Sequence, residues 1–450
     1  MKARPIVNVI TMGCSKNLVD SESLLSRLER KGYDVVHNPS EVKGEYAVVN
    51  TCGFIADAKE ESINMILQLI AEKERKNIGK LVVMGCLSER YLEELKNELQ
   101  EVDLWYGKFD WKNFIETLPD LTQETKQEPE VEPDSKHESG NTEKSTRKLT
   151  TPPWSAYIKV SEGCNRFCAF CAIPLITGRH TSRPIEDIVA EVEGLAAQGV
   201  KEFNIIAQDL SSYGLDLYGE QRLAQLVDSL ASIPGVRWIR LHYLYPADFP
   251  MDLLPVIRKH SNVCNYIDIA LQHISTPVLR AMNRKITREE TLELLAAIRR
   301  KVPGIHLRTT VMTGFPGETE ADFEELKEFV RSQKFERLGG FAYSEEEGTL
   351  AADNLQDDIP EDVKQARLDE IMSLQRDIAE SHNLAQIGKK ITVLIEENDG
   401  DTAIGRSEFD SPEVDQKVII HNCNARPGKM VEAVVTGAGE YELYAEMTSD

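Results

Sequence analysis

Glu162-Gly163-Cys164-Asn165-Arg166-Phe167-Cys168-Ala169-Phe170-Cys171 is the stretch on which the reading of this chain turns. The residues before it, 155–161, have the composition of a strand. The three Cys therefore fall in a loop at a strand's C-terminal end, where barrel enzymes carry their chemistry. Spaced C-x3-C-x2-C, three thiolates in one loop hold three irons of a four-iron cluster and leave the fourth iron open to an outside ligand. Zinc is the competing occupant. A structural zinc wants four ligands in paired C-x2-C units, and no fourth ligand is local.

Downstream of the loop, apolar strand runs alternate with helical periodicity. Strands are expected at 202–207, 236–242, 264–271, 305–312 and 337–343. Helices are expected at 184–198, 220–232, 252–260, 276–283, 288–301 and 319–332. Six strand–helix units predict a parallel barrel, and an open one, since closure takes eight. A long helix, 361–386, follows Pro360 and presents Val363, Leu368, Ile371, Leu374 and Ile378 on one face. The period then changes. Runs at 391–395, 417–420, 430–435 and 441–445, between Gly, Asn, Asp and Pro, predict a small antiparallel barrel.

Upstream, the first 118 residues predict strands at 6–12, 33–37, 46–50, 80–85 and 102–106 and helices at 18–31, 57–75 and 88–98. That alternation implies a parallel sheet with covering helices. Residues 120–150 are almost devoid of large apolar side chains and read as a mobile polar linker. The expected organisation is thus α/β, with domains at 1–119, 151–385 (partial barrel and connecting helix) and 386–450, and the linker at 120–150.

Hydrophobic residues make up 41% of the 450, which excludes a wholly disordered chain. No run of 18 apolar residues exists, so no membrane span is expected. The N-terminus enters the strand-like Ile6–Ile10 without a basic-then-apolar leader, which argues for a cytoplasmic protein. Eight Cys are too sparse for a disulfide scaffold, and their clustering reads as metal binding. Against 52 Lys and Arg stand 75 Asp and Glu, a net charge of −23. This is a poor start for holding nucleic acid by charge.

A second set of Cys is dispersed. Cys14, Cys52 and Cys86 each end an apolar strand run and precede a helix. In a parallel sheet all strand C-termini lie on one edge, so the three should converge there. Gly13, Gly53 and Gly85 beside them permit close backbone approach. A second cluster with an open iron is the sharp reading, and three buried thiols the bland one. Cys264 and Cys423 lack the pattern and read as core.

Other strand ends offer candidates for cofactor contact. Gln208 and Asp209 follow Ile205-Ile206-Ala207 and are placed to hydrogen-bond amino or ribose groups. Gly314, in Gly314-Phe315-Pro316-Gly317, permits close approach. Phe170 is placed to pack near an adenine. Gln272, His273 and His242 also end strand runs, though a lone His is more often structural. Arg179 and Arg183 are placed to clamp a carboxylate, with surface Arg as the plain alternative.

Gly13-Cys14-Ser15-Lys16-Asn17, Asn50-Thr51-Cys52-Gly53-Phe54 and Gly85-Cys86-Leu87-Ser88-Glu89-Arg90-Tyr91 resemble the N-terminal motifs of the radical S-adenosylmethionine methylthiotransferases. The three-Cys loop and a C-terminal barrel resembling a TRAM domain follow in that family's order, and the likeness covers almost all the chain outside 120–150. Thr177-Gly178 departs from the Arg-Gly common at that place. The segments 207–214, 243–246 and 341–349 look most like the branch that methylthiolates an aspartate at its β-carbon in protein twelve of the small ribosomal subunit.

The resemblance implies that Cys164, Cys168 and Cys171 hold the radical-generating 4Fe–4S cluster, and Cys14, Cys52 and Cys86 a second one that presents sulfur. It implies S-adenosylmethionine as both radical source and methyl donor. One electron from a donor such as flavodoxin or ferredoxin would cleave the first molecule and start hydrogen abstraction. Both clusters would face one cavity. No catalytic residue beyond the cluster ligands is assigned. A tRNA methylthiotransferase shares the clusters and is the rival, and a non-catalytic iron–sulfur carrier or sensor is a more distant one. Charge separates the first two. Residues 386–450 carry six Lys and Arg against thirteen Asp and Glu, which repels phosphate and suits a basic ribosomal protein. No membrane contact and no direct nucleic-acid binding are expected, beyond proximity to ribosomal RNA.

Overall fold

Neighbouring residues of the N-terminal strands point to opposite apolar faces. Val7, Val9, Val48, Val82 and Met84 pack with Leu24, Leu25 and Leu28 on one side. Ala47, Val49, Leu81 and Val83 pack with Ile66, Leu69 and Leu95 on the other. Burial on both faces is the mark of a parallel sheet covered by crossover helices. In the computed structural model, which describes residues 4–122 and 147–448, that sheet has the order β2-β1-β3-β4-β5. Its strands are β1 (Ile6–Thr11), β2 (Asp34–His37), β3 (Gly44–Thr51), β4 (Ile78–Gly85) and β5 (Leu104–Trp105). Helices α1 (Ser15–Arg30), α2 (Ala56–Glu74), α3 (Cys86–Glu98) and α4 (Trp111–Thr117) join and cover them. The short α5 (Ile173–Thr177) belongs to this unit and packs with α3.

The middle of the expected 120–150 linker lies outside the described residues. Its end does not behave as a linker. The Arg147 guanidinium reaches Glu22 of α1 at 3.0 Å and the Thr150 backbone N–H donates to Glu22 at 2.8 Å, both ends of the ion pair being buried.

The second unit comprises Pro152–Ala172 and the chain from Arg179 onward. Six of its strands form a parallel sheet in the order β13-β12-β11-β10-β9-β6, with no closing pair. They are β6 (Ser155–Lys159), β9 (Glu202–Ile206), β10 (Trp238–Leu244), β11 (Val263–Gln272), β12 (His306–Thr313) and β13 (Arg337–Ala342), and β7 (Ser161–Glu162) and β8 (Thr181–Ser182) form a small separate pair. The intervening helices are α6 (Ile185–Ala197), α7 (Leu215–Tyr218), α8 (Leu223–Ala231), α9 (Leu253–Lys259), α10 (Thr276–Ala281), α11 (Arg288–Lys301), α12 (Glu320–Gln333), α13 (Leu350–Asn354) and α14 (Glu361–Leu384). Capping boxes, Thr287 with Glu290 and Thr319 with Asp322, start α11 and α12. The open six-stranded barrel of the sequence reading is therefore the observed one.

Strands β14 (Lys390–Asn398), β15 (Thr402–Ser407), β16 (Lys417–His421), β17 (Met430–Ala438) and β18 (Glu442–Met447) close a five-stranded barrel. It is not purely antiparallel as expected, because β16 pairs with β18 in parallel. β15 escaped the sequence reading because Thr402-Ala403-Ile404-Gly405-Arg406-Ser407 holds a single large apolar residue.

This small barrel and the partial barrel fall in one unit because a buried ionic floor joins them. Glu202 accepts from Arg406 at 2.7 and 3.0 Å and faces Arg240 at 3.3 Å, all three being buried. The β15–β16 connection lies under the strands. There Asp410 pairs with Arg337 at 2.6 Å, Asp415 accepts from Tyr266 at 2.9 Å and from Arg308 at 3.4 Å, and Phe409 stacks on His306 at 3.9 Å.

Candidate iron–sulfur and cofactor site

Chain topology brings the dispersed Cys set together. Cys14 caps α1, Cys52 follows β3 and Cys86 opens α3, all at the carboxyl edge of the first sheet. A Cβ on Gly13 would come 2.7 Å from Cys52 Sγ, and one on Gly53 would come 2.9 Å from the Cys86 carbonyl carbon. Only glycine lets the three loops meet so closely. Asn17 ties them, donating to the Met12 and Thr51 carbonyls at 3.1 and 3.0 Å while its Oδ1 lies 3.5 Å from Cys86 Sγ and 3.4 Å from Lys108 Nζ. Burial pushes the Cys52 thiol up and the Cys86 thiol up to about 12, with the Lys108 ammonium pulling the other way on both. Cys14 and Cys86 stand at the N-termini of α1 and α3, and the buried Lys108 ammonium, itself paired with Asp20 at 3.1 Å, offsets part of that burial.

The contiguous set sits in the loop after β6. Gly163 and Phe167 take left-handed conformations, which fold the loop tightly enough for three Cys within eight residues to share it. The Arg166 backbone N–H donates to Cys164 Sγ at 3.4 Å, and Tyr245 Oη and Arg284 Nη1 lie 3.9 and 3.6 Å from Cys168 Sγ. Burial pushes the Cys164 thiol up to about 12. The Arg166 and Arg284 guanidiniums both stack on the Tyr245 ring, each 4.2 Å from its centroid. Among the described residues, no three His, Cys, Asp or Glu side chains are gathered to ligate one metal ion. In a four-iron cube each thiolate takes a different iron.

The remaining candidates separate into those with open polar atoms and those engaged by the fold. Gln208 donates to Glu162, yet its Oε1 is buried and unpartnered, as are Gln272 Oε1 and Arg166 Nη2. Gln208 and Arg166 follow β9 and β6 and Gln272 ends β11, at the C-terminal end of the partial barrel. Gln272 and Tyr243 are left-handed, and strain of this kind gathers at binding sites. Asp209 is engaged on both oxygens, by the Ser211 N–H at 3.0 Å, by Ser212 Oγ and by Arg166 Nε at 2.6 Å. It therefore anchors Arg166.

At Gly314 the absent side chain makes room for Lys364. A Cβ there would come 2.2 Å from Lys364 Cγ, and its N–H donates to Glu318 at 2.6 Å. Phe170 packs edge-on against Phe315 at 6.5 Å in the apolar cluster with Met312 and Tyr343. His242 lies within β10, hydrogen-bonded to Asn204 at 3.3 Å. His273 accepts from the Ser275 N–H at 3.0 Å and is held neutral by burial, its pKa lowered to about 4. Arg183 pairs with Glu191 at 2.7 Å, and Arg179 lies 6.0 Å over the Phe167 ring. The sequence reading passed over Arg166, Tyr245, Arg284, Asn17 and Lys108. Tyr245 lies in the quoted 243–246 stretch, whereas nothing local marks Arg284.

Family models match three stretches: the radical SAM superfamily at 158–330, an uncharacterized protein family, UPF0004, at 6–107, and the TRAM domain at 387–448. Ribosomal protein uS12 methylthiotransferase RimO of Porphyromonas gingivalis is 55% identical over 444 residues, 98% of each chain. The proteins of that name from Bacteroides fragilis and Flavobacterium johnsoniae are 53% and 46% identical, covering 99% and 98% of this chain and 99% and 97% of their own. Among solved structures, the radical S-adenosylmethionine methyltransferase TsrM from Kitasatospora setae, with cobalamin and a 4Fe-4S cluster bound, matches with TM-score 0.53 at 15% identity. The match covers 76% of this chain and 72% of TsrM. The likeness to TsrM shows the fold alone.

Proposed function

The chain belongs to the RimO family of ribosomal protein uS12 methylthiotransferases, and we propose that it inserts a methylthio group at the β-carbon of an aspartate of uS12 with two 4Fe–4S clusters and S-adenosylmethionine. The observation that carries the two-cluster reading is the presence of two separate sets of three thiols, each at strand C-termini in its own unit. The donors fit the groups. Cys14 and Cys86 stand at helix N-termini, a buried Lys108–Asp20 pair lies beside the set, and Cys168 lies beside a buried guanidinium. Three thiols per set leave one iron of each cube without a protein ligand.

When bound at Cys164, Cys168 and Cys171, the cluster supplies the one-electron reduction that splits S-adenosylmethionine. The chain's own part is placement. The Gln208, Gln272 and Arg166 atoms that lack partners suit the polar groups of S-adenosylmethionine, and Asp209 fixes Arg166 for that contact. Phe170 offers an apolar wall for its adenine. An external one-electron donor, such as flavodoxin or ferredoxin, completes the requirement.

Charge supports uS12 over tRNA. Of the thirteen acids in 386–450, Glu408, Asp410 and Asp415 are taken by the floor of the partial barrel. Arg406 is taken as well. The rest of the small barrel remains acidic and suits a basic ribosomal protein.

The test is an anaerobic reaction of reconstituted protein with reductant and S-adenosylmethionine, offered uS12 and bulk tRNA in parallel and read by mass spectrometry. A methylthio group on one uS12 aspartate, and none on tRNA, is the expected result. Addition to tRNA alone overturns the substrate reading and keeps the chemistry. Deoxyadenosine formation without either product overturns both substrates.

A further inference from the structure

Three consecutive residues hold the three-Cys loop from outside. The Met282 carbonyl accepts from the Ala169 N–H at 2.9 Å, Asn283 Nδ2 donates to the Phe167 carbonyl at 2.7 Å, and Arg284 Nη1 points at Cys168 Sγ from 3.6 Å. Arg284 is unusual among the guanidiniums of this unit. It is 5% exposed. Its other contacts are the Ala270 carbonyl and the face of Tyr245, and its Nε is buried without a partner. Arg166, which also stacks on this ring, is paired with Asp209 and Asp248. Among the described residues no carboxylate pairs with Arg284.

A buried cation without a countercharge is strongly destabilising. A carbonyl dipole and an aromatic face offset only part of that. The missing charge is anionic, and the nearest candidate is the Cys168 sulfur. A four-iron cube on three thiolates is a net anion that becomes more negative on reduction. A fixed guanidinium donating to one of its sulfurs favours the reduced form and raises the potential.

We propose that Arg284 is the built-in countercharge of the cluster on Cys164, Cys168 and Cys171, and that its hydrogen bond to Cys168 Sγ raises that cluster's reduction potential. The inference rests on the assignment of Cys168 as a cluster ligand. Arg284 acts through that ligand and is a positioning residue, not a catalytic one.

The experiment uses full-length protein carrying Cys14→Ala, Cys52→Ala and Cys86→Ala, so that only this cluster assembles, reconstituted anaerobically. The midpoint potential is read by mediated titration of the paramagnetic reduced cluster, beside iron content and S-adenosylmethionine affinity. Arg284→Gln should keep the iron and move the midpoint negative, so that the reduced-to-oxidised ratio at a fixed poise falls about tenfold, or about 59 mV for one electron. Arg284→Lys should move it the same way by less, because an ammonium reaches the sulfur or the carbonyl but not both. That variant decides the matter if the Gln variant does not assemble. An unchanged midpoint with intact iron overturns the proposal. So does weakened S-adenosylmethionine binding at an unchanged midpoint, which would make Arg284 a co-substrate contact. A parent protein whose cluster survives Cys168→Ala overturns the ligand assignment instead.

Discussion

Replacing Glu202 by Gln should loosen the C-terminal barrel from the partial barrel by an amount that depends on pH. Burial alone pushes the Glu202 carboxyl up. The Arg406 and Arg240 guanidiniums and the Ser155 hydroxyl outweigh it and bring the pKa down from 4.5 to about 2. At 1.36 kcal/mol per pKa unit that difference is worth about 3 kcal/mol. Removing one partner of a buried ion pair commonly costs about 3–5 kcal/mol, because the remaining charge is left uncompensated. The two routes agree on about 3 kcal/mol for Glu202→Gln at pH 7, or roughly 6 °C in the unfolding temperature of a unit this large.

The sign follows from the depressed pKa. The contribution is fully present above the unfolded value of 4.5 and is lost as pH falls through 4.5 toward about 2. Thermal unfolding of cluster-free wild type and variant, compared from pH 7 to pH 3, reads it. The gap should be widest at pH 7 and narrow in acid. Curves that coincide at pH 7, or a gap that stays constant into acid, would show that the Glu202 charge does not hold this interface.

Three further outcomes are expected. Replacing Cys164, Cys168 and Cys171 together by Ala should abolish S-adenosylmethionine cleavage and leave about half the iron, checked by deoxyadenosine and iron assays. The same treatment of Cys14, Cys52 and Cys86 should leave deoxyadenosine formation and stop methylthio transfer, checked by mass spectrometry of uS12. Ending the chain at residue 387 should strip Glu202 of Arg406, Arg308 of Asp415 and Arg337 of Asp410. The truncated protein should lose stability and cleavage together, whereas a purely substrate-docking tail would leave cleavage intact.

Much of the fold is legible in the sequence because its cues are local. Continuous apolar runs give the buried parallel strands, and the change of period after residue 388 gives the small barrel. The missed pieces lack such cues. β15 has one large apolar residue, and α4, α7 and α13 are too short to show a period. The Cys sets are legible for different reasons, one by spacing and the other by equivalent placement after β1, β3 and β4.

What surrounds the cysteines is another matter. Arg284 meets Cys168 across 116 residues of sequence, and Lys108 meets Asn17 across 91. No local pattern encodes such partners. Asp209 and Gly314 likewise have long-range neighbours that their positions at strand ends do not announce, Arg166 and Lys364.

The floor beneath the partial barrel bears on how such enzymes change targets. If the C-terminal barrel were an independent recognition module, a basic one from an RNA-modifying relative could be grafted here. But Asp410 and Asp415 on this barrel neutralise Arg337 and Arg308 on the other, and Arg406 neutralises Glu202. A grafted barrel lacking those three side chains would leave Arg337 buried without its carboxylate, and Glu202 and Arg308 each short of one partner. Retargeting the enzyme therefore requires the incoming barrel and the strand residues above it to be exchanged as one set, so recognition and chemistry are inherited together.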